Sequence, residues 1–253
     1  MSYVIKYSLC CNKGKLRKKN QDNFYCNGYF LPSENEGLDG SISGKIRVKA
    51  NRNISFAVFD GMGGEQQGEM AAHIAASSYA DWAESDETAE CTTFGMISCM
   101  INRKICEYAV RNSVSSMGTT GCFIGFDPCN ISYLNIGDSK IFQLTDGCLL
   151  QRSKDHCLKI GNGKAPLTQF FGIPENEFII QPHISCEEYK NNDRWLICSD
   201  GLTDMVGADA IAKILKEEKD TDKCCRLLTE TALENGGRDN VTVLICDIKK
   251  KLL

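Results

Sequence analysis

The chain has 253 residues, of which 42% are hydrophobic and 25% charged, a globular balance that excludes a largely disordered polypeptide. Its net charge of −4 at pH 7 carries no basic excess, so nucleic acid is not an expected partner. No apolar run approaches the roughly 20 residues that cross a bilayer, and the start MSYVIKYSLCC has no long apolar stretch behind a basic segment; neither a membrane span nor a secretory signal is expected, and a cytoplasmic protein is.

Val4–Leu9 alternates as a strand, and Ile54–Phe59 is an almost continuous apolar strand that ends on Asp60. Between them the polar segment Pro32–Asn53 reads as a mobile surface loop. Helical spacing covers Gly68–Trp82 and Thr92–Asn112; strands follow at Gly121–Phe126, Ile131–Ile136 and Ile141–Thr145, separated by the turn segments DPCN and GDS. Strands at Phe178–Ile184 and Trp195–Cys198 precede helices at Ala208–Glu218 and Thr221–Asn235, the second stopped by Gly236–Gly237, and a last strand at Val241–Ile248. Meandering strands with short turns favour antiparallel pairing, and helices in two blocks suit the outer faces of packed sheets. No internal repeat or composition break divides residues 1–253, so one domain is expected.

Fifteen cysteines, an odd count without a C-x-x-C, fit neither a disulfide framework nor a zinc ribbon. Many lie in apolar runs, where a reduced thiol packs as a small hydrophobe. The adjacent pairs Cys10–Cys11 and Cys224–Cys225 leave a redox role open. His73, His156 and His183 are scattered and read as surface or structural residues.

The informative feature is a set of aspartates beside glycine, serine or asparagine at strand ends: Asp22 in NQDN, Asp60 in FAVFDGMGG, Asp138 in NIGDSK, Asp200 in LICSDGLTD and Asp239 in GGRDNVTV. One D-G alone is usually a turn. Several converging carboxylates repel one another unless a cation joins them, and a hard divalent ion with oxygen ligands is the natural candidate. Competing motifs fail: Gly61-Met62-Gly63-Gly64 has no following Lys–Ser/Thr, and no G-x-S-x-G occurs.

Taken in order, Arg17–Asp22 (RKKNQD), Phe59–Gly64 (FDGMGG), Met117–Thr120 (MGTT), Gly137–Ser139 (GDS), Asp155–His156, Ser199–Gly201 (SDG) and Arg238–Asn240 (RDN) resemble the metal-dependent protein phosphatases of the PPM (PP2C-like) family, bacterial type. The resemblance runs from about Tyr7 to Asp247. It implies a four-layer α-β-β-α sandwich, an α/β (α+β) fold of two antiparallel sheets flanked by helices, with two Mn²⁺ or Mg²⁺ ions at one end. Carried over by position, Asp60 bridges the ions, the Gly61 carbonyl binds one, and Asp22, Asp200 and Asp239 are further metal ligands. Asp138 matches a position linked to a third, weaker metal, and Arg17 the arginine that holds substrate phosphate.

The implied activity is hydrolysis of phosphoserine and phosphothreonine by a metal-bridging hydroxide that attacks phosphorus. Arg17 and Asp60 are the catalytic candidates, and the implied partners are phosphorylated proteins, the substrates of a Ser/Thr kinase; a monomer is expected. The alternatives are a phosphoprotein-binding scaffold of weak activity and a phosphatase of small phosphate esters. Departures from the family pattern are Met62 in place of a histidine, Gln21 in place of an acid, Lys140 where arginine is usual, and a flap shortened to residues 157–168. Lys140 also reads as a plain exposed cation, and Arg17 as a solvated member of the basic run KGKLRKK.

Overall fold

The computed structural model describes residues 3–49, 54–62, 67–85, 89–158 and 166–250. In chain order it contains β1 (Tyr3–Asn12), β2 (Asp22–Cys26), β3 (Ile42–Arg47), β4 (Ser55–Met62), α1 (Gly68–Ala83) and α2 (Cys91–Arg111). Then come β5 (Gly118–Thr119), β6 (Gly121–Phe126), β7 (Asn130–Ile136), β8 (Lys140–Thr145), β9 (Cys148–Gln151), β10 (His183–Glu188) and β11 (Arg194–Cys198). The chain closes with α3 (Asp200–Thr203), α4 (Ala208–Glu217), α5 (Thr221–Glu234) and β12 (Val241–Lys250).

One sheet runs β3-β1-β12-β11-β8-β9 and the other β10-β7-β6-β4-β2, with β5 beside β4. The pairings are antiparallel. Period-two alternation divides the central strands between two apolar layers. Ile5, Tyr7 and Leu9 of β1, Phe56 and Val58 of β4, Trp195 and Ile197 of β11, and Leu244, Cys246 and Ile248 of β12 fill the space between the sheets. The opposite faces carry Phe59 and Phe123 against α1 and α2 on one side, and Leu196, Cys198, Val243 and Ile245 against α4 and α5 on the other. The four-layer α-β-β-α sandwich expected from the resemblance is therefore present. Because both faces of the central strands are covered, they read as continuous apolar runs rather than alternating ones.

Three sequence readings need correction or extension. Pro32–Asn53 is not a loop throughout: Ile42–Arg47 forms edge strand β3, paired with Val4–Leu9 of β1. Ile46 is buried there, and Gly44 lies so close to the Tyr7 ring that a Cβ would stand 2.5 Å from its hydroxyl. Residues 50–53 of that segment lie outside the described residues. The strand placed at Phe178–Ile184 begins only at His183. Phe178 and Ile179 are 47% and 71% exposed and Ile180 alone turns into the helix-side core, so that apolar run lies outside the sheet. The strands Asp22–Cys26 and Cys148–Gln151 and the four-residue helix at Asp200 are too short for periodicity to reveal.

A buried ion pair ties one sheet to its helices. Arg194 Nε and Nη2 donate to the two Asp247 carboxylate oxygens at 2.6 and 2.8 Å, and Thr221 Oγ1 donates to Asp247 Oδ2 at 2.5 Å. Arg194 Nη1 also donates to the Leu215 and Glu218 carbonyls of the α4 end.

Candidate metal centre

The antiparallel register gathers the strand-end aspartates. β2 starts where β4 ends, which places Asp22 directly opposite Asp60. β12 starts where β11 ends, which brings Asp239, just before β12, to the same end of the sandwich as Asp200, just after β11. Asp138, just before β8, lies at that end too, because Lys140 pairs with Cys198.

Asp22 is 1% exposed. Its Oδ2 accepts from Ser199 Oγ at 2.8 Å and Thr242 Oγ1 at 2.7 Å, whereas its buried Oδ1 has no hydrogen-bond partner among the described residues. Burial, opposed by those two hydroxyls and reinforced by Asp200 and Asp239, pushes its pKa up to about 7. The Asp60 carboxyl is raised well above the ordinary range, first by burial and then by Asp22, Asp200, Asp239 and, least, Asp138. Both shifts show an acidic cluster whose protein partners do not compensate its charge.

The Asp60 backbone is fixed by its neighbours. Asp60 N donates to Thr120 Oγ1 at 3.1 Å, while Thr119 Oγ1 and Thr120 N both donate to the Asp60 carbonyl at 2.9 Å. Gly61 N donates to the Gln21 carbonyl at 3.1 Å, and a Cβ on Gly61 would stand 2.2 Å from the Gly68 carbonyl oxygen. Only glycine lets β4 pass this close to the start of α1. Gly201 is as constrained, with the Asn240 carbonyl oxygen 1.9 Å from a Cβ built there.

Arg17 is not a freely solvated cation. Its Nη2 donates to Asp239 Oδ2 at 2.7 Å, and Asp60 and Asp200 also favour its charge. The loop that carries it is clamped by Asn240, which accepts from Gln21 N and donates to the Lys13 and Lys19 carbonyls. Gln21 Nε2 and Lys19 Nζ both donate to Glu69, which adds a further carboxylate at the rim.

Lys140 differs from the exposed cation of the sequence reading. Its side chain is 18% exposed, with Nζ 2.5 Å from Asp155 Oδ2 and 3.3 Å from the Asp138 carbonyl. His156 has the structural role expected of it: its Nδ1 accepts from Gly137 N, and its own N–H donates to the Gly137 carbonyl. Burial lowers its pKa. The flanks of the short flap pair through Cys157 and Leu167; its residues 159–165 lie outside the described residues, as do Gly63 and Gly64 of the FDGMGG segment.

Sequence reasoning gave no role to Thr119, Thr120, Ser199, Asn240, Thr242 and Glu69. The first four stood in the segments that carry the resemblance. Thr242 lay three residues beyond Asp239, and nothing in the sequence marks Glu69. Among the described residues, no three His, Cys, Asp or Glu side chains form a ready-made ligand set. The cluster nevertheless fits hard divalent cations in its chemistry: its acidic donors are oxygens, and the buried Asp22 Oδ1 needs a positively charged partner.

A family profile described as protein phosphatase 2C matches residues 42–235. The chain belongs to that family. It is 26% identical to the serine/threonine protein phosphatase PstP of Mycobacterium tuberculosis over 98% of this chain, and spans 46% of that protein's length. It is 25% identical to the serine/threonine phosphatase stp of Listeria monocytogenes, with 93% of each covered. Among solved structures, the catalytic domain of PstP in complex with two manganese ions superposes with a TM-score of 0.78 at 25% identity, covering 98% of this chain and 100% of that one. PppA of Pseudomonas aeruginosa, at 22% identity, covers 98% of this chain and 99% of its own with a TM-score of 0.77, a likeness of fold.

Proposed function

We propose that this chain is a divalent-metal-dependent phosphatase that hydrolyses phosphoserine and phosphothreonine in proteins. The observation that carries the reading is the meeting of Asp22, Asp60, Asp200 and Asp239 at one end of the sandwich, with Arg17 beside them. The family, the Ser/Thr phosphatase relatives and the manganese-bound PstP domain support it. Residues 1–253 act as one catalytic domain, consistent with β1 and β12, from opposite ends of the chain, lying side by side.

Asp60, Asp22, Asp200, Asp239 and the Gly61 carbonyl hold two Mn²⁺ or Mg²⁺ ions in this reading, and the more peripheral Asp138 serves a third. When bound, such ions supply a water acidic enough to attack phosphorus at neutral pH and positive charge against the phosphoryl oxygens. Arg17 binds and orients the substrate phosphate. Its present partner, Asp239, is a carboxylate on a half-exposed pair, a weak contact that a dianionic phosphate can outcompete. Ser199 and Thr242 hold Asp22 by one oxygen and leave the other for a cation. Asn240 keeps the Arg17 loop over the cluster. The Cys residues are not needed as nucleophiles.

The expected substrates are phosphoproteins, products of a Ser/Thr kinase, and the enzyme works as a monomer in the cytoplasm. Its fifteen cysteines are unpaired, as in a reducing compartment, and no helix among the described residues is long and apolar enough to cross a membrane. The test is phosphate release from a phosphothreonine peptide with Mn²⁺, compared with Asp239→Asn. Manganese-dependent release by the native chain alone supports the reading. Binding of the peptide without release indicates a scaffold, and a strong preference for small esters a different substrate class.

A further inference from the structure

The sequence pointed to adjacent cysteine pairs, but the fold brings together two that are far apart. Cys10 of β1 lies on the outer face of its sheet, against α5, in the same apolar layer as Cys225. Cys10 pairs in register with Val243, and Cys225 Sγ is 3.2 Å from the Val243 carbonyl oxygen. Cys10 and Cys225 are thus both placed against Val243, one from β1 and the other from α5. We propose that Cys10 and Cys225 form an oxidisable dithiol that takes hydrogen peroxide as its oxidant and closes to a reversible disulfide between β1 and α5.

The cavity and the local charges favour Cys10 as the sulfur oxidised first. A surface cavity of about 140 Å³ is lined by Cys10 and Cys11 together with Arg226, Thr229 and Glu230, but burial and Asp22 push the Cys11 thiol up to about 12. The cavity is ample for a peroxide molecule, since a water needs only about 10–15 Å³. Cys225 is fully buried behind it. The Cys10 pKa is lowered by its neighbours Cys225, Thr229 and the Arg226 charge, which outweigh burial and the Asp222 carboxylate. Burial keeps Cys225 protonated. A sulfur that borders a cavity and is biased toward the thiolate thus lies in one layer with a protonated, sheltered one, the arrangement of a peroxidatic and a resolving thiol.

The steps balance. The Cys10 thiolate attacks one peroxide oxygen, the O–O bond breaks, and hydroxide leaves and takes a proton to become water; Cys10 is then a sulfenic acid. The Cys225 sulfur attacks the Cys10 sulfur, the S–O bond breaks, and the departing hydroxide takes the Cys225 proton as a second water. Two thiols have lost two electrons and one peroxide has gained them. The site does not involve the carboxylate cluster and stands independently of the proposed activity.

The test is peroxide treatment of the folded full-length chain at one to a few equivalents, quenching with catalase, and peptide mapping without reductant. The expected first product links the Cys10 peptide to the Cys225 peptide and is reversed by dithiothreitol. It persists in Cys11→Ala and Cys224→Ala and disappears in Cys10→Ala. Cys225→Ser should instead yield a dimedone adduct on Cys10. Oxidation that goes first to the exposed Cys99, Cys129, Cys148 or Cys186, with Cys10 and Cys225 still reduced, would overturn the proposal. So would a bond within Cys10–Cys11 or Cys224–Cys225. Where a variant fails to fold, fragmentation of the cross-linked native peptides between the adjacent cysteines assigns the bond: a Cys10–Cys225 link supports the proposal and any other pairing overturns it.

Discussion

Asp22 and Asp247 are both buried carboxylates, 1% and 3% exposed, yet the chain treats them in opposite ways. Asp247 faces the bidentate guanidinium of Arg194 and the Thr221 hydroxyl, a complete set of partners within the fold. Asp22 receives only two neutral hydroxyls on one oxygen and faces three more carboxylates. A buried anion matched by the fold is structural; one surrounded by like charge asks for a partner from outside. The same polar chemistry therefore holds β11 and β12 to their helices at one place and prepares a cation site at another.

The largest expected effect is on activity. Asp60→Asn should lower kcat/KM for a phosphothreonine peptide by about 1000-fold or more, roughly 4 kcal/mol of transition-state stabilisation, while the chain stays folded. Retained activity would separate the cluster from the chemistry. Next in size is Asp247→Asn, which strips the partner from a buried arginine and should cost about 3–5 kcal/mol in denaturant unfolding. In metal-free protein, Asp22→Asn should instead be neutral or stabilising, because it removes an uncompensated charge. If the two substitutions cost alike, the contrast fails.

A pH series on metal-free protein sharpens it further. Burial pushes the folded Asp22 carboxyl up to about 7 from the 3.8 of a free side chain, so between those values the folded chain binds more protons than the unfolded one. Stability contributed by this carboxyl is therefore lost as pH rises from about 4 to 7, and recovered on acidification, which thermal unfolding at several pH values will show. Bound Mn²⁺ should remove that trend. The smallest effect is expected of Thr242→Val, which leaves Asp22 with one hydroxyl; Mn²⁺ affinity should fall about 10-fold, as for other residues that orient metal ligands.

The sequence was most legible where local chemistry and fold agree. Strands such as Gly121–Phe126 and Val241–Ile248 carry apolar residues on both faces, and Asp22, Asp60, Asp138, Asp200 and Asp239 stand at or within two residues of a strand end. The edge strand Ile42–Arg47 was hidden because it has one buried side chain and its pairing to β1 is decided by Tyr7 and Gly44, far away in the chain. The exposed pair Phe178 and Ile179 misled for the converse reason: apolar residues on a surface carry the same letters as a strand. Within the site, Asp22 and Asp60 were readable, but the pairing of Arg17 with Asp239, the Asn240 clamp and the hydroxyl pair on Asp22 are long-range contacts. The placing of Cys10 and Cys225 in one layer against Val243 is of the same kind, and sequence adjacency pointed instead to Cys10–Cys11 and Cys224–Cys225.

The most direct test is a calorimetric titration of the metal-free chain with Mn²⁺, side by side with Asp60→Asn. Saturable uptake of two ions per chain that the variant loses is the predicted result. Equal uptake by both proteins, or none by either, would contradict the claim that these carboxylates meet in order to hold cations.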